Sequence, residues 1–251
     1  MITLKHRDWE LNNIEAIIFD KDGTITDVHL YWGEIIKMRA ESIIQENGLP
    51  RLYKTILEYK MGYDSSSKKL LPNGPIALVG RNEVIRIITE YLCKNGIKST
   101  EEYIGKLFNY VHKKFTETKL DECIKIIPCV KDFFNNIQNN AVLFLLTSDT
   151  KVNAIKGMKK LDLIDNFLNI YGKEDSKEDK ITGNICNEIL NKYKFNPSNV
   201  IAIGDTNTDI MMSKNAKIKA CIGVATGQVP ISKLDTLYRC NNLSEIKVIK
   251  E

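Results

Sequence analysis

With 251 residues, 43% of them hydrophobic and 27% charged, the chain is long enough to bury a full core and too apolar to stay disordered. Its net charge of +4 is what remains of 36 Lys plus Arg against 32 Asp plus Glu. The basic residues come in pairs, such as Lys68 with Lys69 or Lys159 with Lys160, and form no long stripe interleaved with aromatics, which argues against nucleic acid as a partner.

None of the six cysteines (Cys93, Cys123, Cys129, Cys186, Cys221, Cys240) forms a C-x-x-C pair, so neither a zinc site nor a redox dithiol is expected. The polar start MITLKHRDWELNN and the lack of any run of about 18 apolar residues point to neither a signal peptide nor a membrane span. Free thiols in a reducing cytoplasm are the corresponding expectation.

The first strand is expected at Ala16 to Phe19, and it runs into Asp20-Lys-Asp22-Gly23-Thr24-Ile-Thr26. Side chains alternate along an extended chain, so Asp20 and Asp22 leave the strand on the same side. Gly23 then allows a sharp turn. In open α/β sheets, ligands sit just outside the carboxyl ends of the strands, and two acids there are costly unless a cation or a reaction uses them. A turn in which both Asp side chains bond nearby amides is the plain alternative. A calcium loop fails in both frames: counting from Asp20 puts Ile25 where glycine is required, and counting back from Gly23 puts Ile18 first and His29 twelfth.

The stretch from Asp27 to Lys125 is far longer than one crossover helix and reads as an insertion. Helices are expected at about Tyr31 to Glu46, Asn82 to Lys94 and Glu101 to Thr116, around a turn-rich middle with no convincing strand pair. Arg39, Arg81 and Asn82 are polar groups of this segment with a possible ligand role, or solvated helix residues. Tyr31 and Trp32 read as packing residues.

From residue 126 onward, helical and strand patterns alternate. A helix at Val130 to Ile137 precedes a strand at Val142 to Leu146 that ends in Thr147-Ser148-Asp149-Thr150. Hydroxyls and unpaired amides at the start of the next helix, Val152 to Lys160, suit a phosphate; a plain N-cap by Ser148 or Thr150 is the alternative. After a strand at Leu168 to Tyr171 come three lysines, Lys173, Lys177 and Lys180, any of which would balance phosphate and carboxylate charge.

A helix at Ile185 to Tyr193 leads to the strand Val200 to Ile203 and then Gly204-Asp205-Thr-Asn-Thr-Asp209. Thr206 with Asp209 also has the spacing of a capping box. A short helix, Ile210 to Lys214, and a strand at Ala220 to Val224 complete the alternation. The expected fold is α/β, a doubly wound parallel sheet, with a core at 1–26 and 126–251 and a helical insertion at 27–125. One sheet would bring the acids of both segments to one rim, where hard oxygen ligands in such number suit Mg²⁺.

These motifs, in this order, resemble those of the haloacid dehalogenase-like hydrolase superfamily, in particular its phosphoglycolate phosphatase-like phosphatases with a helical cap inserted after the first strand. The resemblance implies a Rossmann-like core. It also implies a catalytic set of Asp20 as nucleophile, Asp22 as general acid and base, and Thr147 and Lys180 holding phosphoryl oxygens. Gly23, Thr24, Ser148 and Arg81 join Thr147 and Lys180 as candidate phosphate or substrate contacts. For Mg²⁺ it implies Asp20, Asp22 through its backbone carbonyl, and Asp205, with Asp209 in support.

Lys180 fits the family's spacing best, although Ile181 replaces the usual proline after it, and Lys173 and Lys177 stay open. A second departure is Cys129 in Ile127-Pro-Cys-Val, where such proteins often have glycine. Dehalogenases of the superfamily lack an acid at the position of Asp22 and need no metal, so phosphoryl chemistry is implied.

The expected function is Mg²⁺-dependent hydrolysis of a small phosphomonoester. A sugar phosphomutase of the beta-phosphoglucomutase kind is the enzymatic alternative, and a catalytically silent binding module the other. Nothing in the sequence selects between monomer and homodimer.

Overall fold

The structure is a computed structural model that describes residues 1–78 and 80–250. In chain order the first strands are β1 (Ile2–Lys5), β2 (Glu10–Ile14) and β3 (Ala16–Phe19). Then come α1 (Val28–Asn47), α2 (Leu52–Lys60), β4 (Tyr63–Asp64), β5 (Lys69–Leu70), α3 (Pro75–Leu78), α4 (Arg81–Lys94), α5 (Glu101–Thr118) and α6 (Leu120–Cys123). The remainder is α7 (Val130–Ile137), β6 (Val142–Leu146), α8 (Lys151–Lys160), β7 (Asn169–Tyr171), α9 (Asn184–Tyr193), β8 (Val200–Gly204), α10 (Asn207–Asn215), β9 (Ala220–Val224), β10 (Arg239–Cys240) and β11 (Lys247–Lys250).

These elements form two compact units, one of Met1–Asp27 with Lys125–Glu251 and the other of Val28–Ile124. The first holds a six-stranded parallel sheet in the order β10-β9-β8-β3-β6-β7, an α/β Rossmann-like arrangement with β3 near its middle. Both faces of β3 are covered. Ala16 and Ile18 share a core with Ile185 and Ile189 of α9 and Ile210 and Met212 of α10. On the other face, Phe19 meets the rings of Phe133 and Phe134 on α7, at 6.3 and 4.9 Å between centroids. Burial on both sides is why β3 and β8 read as unbroken apolar runs.

Four strands of this unit were not expected from the sequence, the two-residue β10 at the edge of the parallel sheet and three others. β1, β2 and β11 form a separate antiparallel sheet in the order β11-β1-β2. Here Ile2, Leu4, Leu11 and Ile14 are buried among polar neighbours, with a register shift between β1 and β2. Strands of four and five residues interrupted by such a shift leave too little alternation to recognise.

The unit's two ends at the insertion are tied together. The Asp27 N–H donates to the Lys125 carbonyl at 2.9 Å, and Thr26 bridges Ile126. The chain can therefore leave and re-enter without disturbing the sheet.

The inserted unit is mainly helical. Ile36, Ala40 and Ile43 of α1 face Leu57, Ile88, Leu92, Ile104 and Phe108 across one core, the spacing of a helical stripe. It differs from expectation in two ways. α2 and the short α3 and α6 are additional helices, and β4 and β5 form a small hairpin across the turn-rich middle, closed by Asp64 accepting from Ser66 and Ser67. Among the described residues no helix is long and apolar enough to cross a membrane.

Candidate active site

Register sets the site. Phe19 pairs with Leu145 of β6 and with Ile203 of β8, so the three central strands end at one level. The residues that follow them, Asp20, Thr147 and Asp205, therefore emerge on one rim. The Asp20 N–H extends the ladder by donating to the Ile203 carbonyl at 2.9 Å.

At the centre is Lys180, buried in a single 3-10 turn, Lys180–Thr182, whose Nζ lies 2.6 Å from Asp20 Oδ1 and 2.6 Å from Asp209 Oδ1. Asp209 serves two ends at once, because its Oδ2 also accepts from the Thr206 N–H at 3.1 Å and the Thr206 hydroxyl at 2.7 Å. The capping box read in the sequence and the acidic site are thus the same carboxylate. Lys173 and Lys177 are exposed, and neither meets these acids.

Asp205 is 2% exposed and its Oδ1 has no partner among the described residues. The backbone closes tightly on its other oxygen. A Cβ built on Gly23 would stand 2.3 Å from Oδ2, and one on Gly227 only 1.6 Å. Gly23 also has φ +92°, a left-handed conformation, so both space and backbone require glycine there. Thr226 donates to the Gly23 carbonyl at 2.6 Å and joins the loop after β9 to the loop after β3.

One ammonium cannot neutralise three clustered carboxylates, of which Asp205 and Asp209 are buried and Asp20 is largely so. Burial raises Asp20 to about 7, against the pull of Lys180 and with a further push from Asp209. Asp205 is pushed well above the usual carboxylate range by burial and then by Asp20 and Asp209. The same acids hold Lys180 above the ordinary lysine value despite its burial.

Asp22 belongs to a neighbouring cluster. It lies 2.8 Å from Lys21 Nζ and accepts from the Thr26 hydroxyl at 2.9 Å, and Lys21 reaches Asp149 as well, at 3.2 Å. Thr147 is buried, and its hydroxyl accepts from the Asp149 N–H at 3.1 Å. Thr150 caps α8 by accepting from the Asn153 N–H, while Ser148 is exposed. The Thr24 hydroxyl is buried without a partner among the described residues. Arg81 lies in the inserted unit, where its guanidinium donates to the Gly105 carbonyl and to Asn109 Oδ1 at 2.7 Å.

A cavity of about 200 Å³ opens beside Thr147, Ser148, Gly172 and Lys180. A larger one, about 620 Å³, is lined by His6, Arg239 and Glu245 and contains none of the clustered acids, so size alone does not locate the chemistry. Among the described residues no three His, Cys, Asp or Glu side chains are grouped to hold a metal ion, since Lys180 stands between Asp20 and Asp209. Among the described residues the buried Asp205 Oδ1 lacks a protein partner, and Asp20 is bonded through Oδ1. One or two carboxylates completed by water and phosphate oxygens is what Mg²⁺ takes, so the donor set fits that ion.

A family model described as haloacid dehalogenase-like hydrolase matches residues 14–217. The chain belongs to this family. Solved structures of similar fold include a predicted phosphoglycolate phosphatase from Haemophilus somnus, at 16% identity and TM-score 0.67 over 93% of this chain and 96% of that one. A beta-phosphoglucomutase candidate from Thermotoga maritima shares 24% identity at TM-score 0.61, over 84% and 85%. The HAD-hydrolase candidate YfnB from Bacillus subtilis, solved bound to magnesium, shares 18% at TM-score 0.64, over 93% and 97%. At these identities the likeness is one of fold. No curated protein matches the sequence.

In this HAD-like hydrolase, sequence reasoning passed over Lys21, Asp149, Thr226 and Gly227. The loop Ala225-Thr-Gly-Gln228 follows a strand of the same parallel sheet, so its position at the working rim was a usable signal. Lys21 carried none, because a lysine between two aspartates reads as exposed until its burial is seen.

Proposed function

We propose that the chain is a magnesium-dependent phosphatase that hydrolyses a small-molecule phosphomonoester through an aspartyl-phosphate on Asp20. The observation that supports this reading most is the state of Asp20 itself. Its Oδ1 is held by buried Lys180 at 2.6 Å at the end of a central strand, and its Oδ2 has no partner among the described residues.

In this account Asp20 attacks phosphorus, forming an O–P bond as the bond to the leaving alcohol breaks. Asp22 gives its proton to the departing oxygen. It then takes a proton from the water that hydrolyses the aspartyl-phosphate, restoring Asp20 and releasing inorganic phosphate. Lys180, the Thr147 hydroxyl and polar groups of the Gly23-Thr24 and Thr147-Ser148 loops hold the phosphoryl oxygens. Asp20, the Asp22 carbonyl and Asp205 would hold Mg²⁺, with Asp209 in support. When bound, the ion supplies charge that offsets both the carboxylate excess and the charge on the transferring group. Gly227 and Gly23 keep Asp205 in place through their close approach to Oδ2.

The test is a phosphate-release screen over a panel of phosphate esters, with Mg²⁺ and with EDTA, and no added phosphoryl acceptor. Steady release in Mg²⁺ that is lost in EDTA and falls at least about 10³-fold in Asp20→Asn is the expected result. An Asp20→Asn variant as fast as the parent overturns the nucleophile. Transfer between positions of a sugar phosphate without net release would favour the phosphomutase alternative.

A further inference from the structure

Lys21 is a buried cation with no part in holding the phosphoryl group. It stands between the two acids of the first loop and is 7% exposed. Its Nζ lies 2.8 Å from each carboxylate oxygen of Asp22 and 3.2 Å from Asp149 Oδ2. Neighbours along an extended chain point to opposite sides. Here the chain has left β3 and turns, with the Lys21 carbonyl accepting from the Ile25 N–H at 2.8 Å and the Thr26 N–H at 2.9 Å, and the turn lets the two side chains meet.

An ammonium has three N–H donors, and three carboxylate oxygens surround this one. No donor is left for a phosphoryl oxygen, so Lys21 does not duplicate Lys180. Burying a lysine is expensive unless it is paired, and the pairing gives the Asp22 carboxylate a fixed place. The far end of the pair is firmly held. Asp149 Oδ1 accepts from the Thr150 N–H at 2.7 Å and from Asn153 Nδ2 at 3.0 Å. The Asp149 N–H donates to the Thr147 hydroxyl at 3.1 Å, and its carbonyl accepts from the Lys173 N–H at 2.9 Å. Asp22 itself is 32% exposed at its side chain, and its further partner is the Thr26 hydroxyl at 2.9 Å.

We propose that Lys21 is a positioning residue for Asp22, tying the proton-transferring carboxylate to the loop after β6 through Asp149. This role rests on the phosphatase reading, in which Asp22 gives a proton to the leaving oxygen and later takes one from water. Without Lys21 the carboxylate keeps the Thr26 contact alone and visits several rotamers, of which only some reach the leaving oxygen. Misplacement of a reacting group by about 1 Å can cost about 10²-fold in rate.

The experiment measures kcat/KM in Mg²⁺ for the full-length parent, Lys21→Met and Lys21→Arg on two esters. One is p-nitrophenyl phosphate, whose phenolate departs without a proton, and the other is the alkyl phosphate hydrolysed fastest in the phosphate-release screen, whose alkoxide needs one. Lys21→Met is expected to lose at least about tenfold more on the alkyl ester than on the aryl ester, since only the alkyl ester draws on the acid. Lys21→Arg, which keeps a cation between the same two acids, recovers part of that ratio. Adding Lys21→Met to Asp22→Asn lowers the alkyl rate little further, because both changes act through one carboxylate. Lys21→Gln, which keeps a donor without the charge, is read in the same way should Lys21→Met fold poorly.

Equal losses on the two esters, whatever their size, would overturn the proposal, because a disturbed fold or a lost contact to the phosphoryl group slows every ester alike. Additive effects of Lys21→Met and Asp22→Asn on the alkyl ester would overturn it as well. A parent that releases phosphate from no ester fails the phosphatase reading and this role with it. An active parent whose Lys21 variants keep the parental ratio fails the role of Lys21 alone.

Discussion

Lys180 has two carboxylates at 2.6 Å, and each depends on it for charge. Lys180→Met keeps the length of the side chain and leaves Asp20 and Asp209 facing one another in a buried setting. Breaking such a pair costs about 3–5 kcal/mol, and loss of a donor to the transferring group costs about 10²–10³ in kcat. Denaturant melts and phosphate release would read both, and a variant with parental stability and rate would remove Lys180 from the centre of the site. The sequence left three lysines open because they share one chemistry and one connection. What separates them is that the chain buries a 3-10 turn at Lys180 and leaves Lys173 and Lys177 in water. Asp20, Asp205 and Asp209 were legible for the opposite reason, since each follows a strand whose apolar run announces where it ends.

At the level of elements, the departure at Cys129 has a structural meaning. The residue stands before α7 with φ +69° and ψ −9°, the left-handed region that a Cβ disfavours. Glycine at this place has no such penalty, and the left-handed cost for other residues is about 1–2 kcal/mol. Cys129→Gly should therefore raise the melting temperature by about 2–8 °C, less whatever the weak contact of Sγ with Asn242 contributes. A calorimetric scan showing no rise, or a fall, would contradict the strain.

The long parallel elements were readable because both their faces are buried. β3, β6, β9 and α7 fall at the residues expected, and β7 starts one residue late. The strands that escaped are short and stabilised by partners far along the chain, such as β1 against β11. The β4–β5 hairpin has two residues a side, too few for any periodicity to appear.

At the scale of the whole molecule, the insertion was legible as sheer length between the first two strands of the sheet, and the structure divides the chain at 27/28 and 124/125. The acids' charge excess also has a global consequence. Asp20 is raised from 3.8 to about 7 in the folded metal-free chain. The folded state therefore binds more protons than the unfolded state between those values, and stability falls as pH rises through that window. In EDTA, the parent should lose melting temperature between about pH 4 and about pH 7 relative to Asp20→Asn, which lacks the group. Parallel melting curves for the two proteins would show that Asp20 does not carry that proton.

The central claim is that Asp20 becomes covalently phosphorylated. Rapid acid quench of the protein turning over a phosphate ester with Mg²⁺, followed by peptide mass spectrometry, tests it directly. The account predicts the added mass of one HPO₃ on the peptide containing Asp20, absent in Asp20→Asn. Sustained phosphate release with that peptide unmodified, or with the label on another residue, would contradict it.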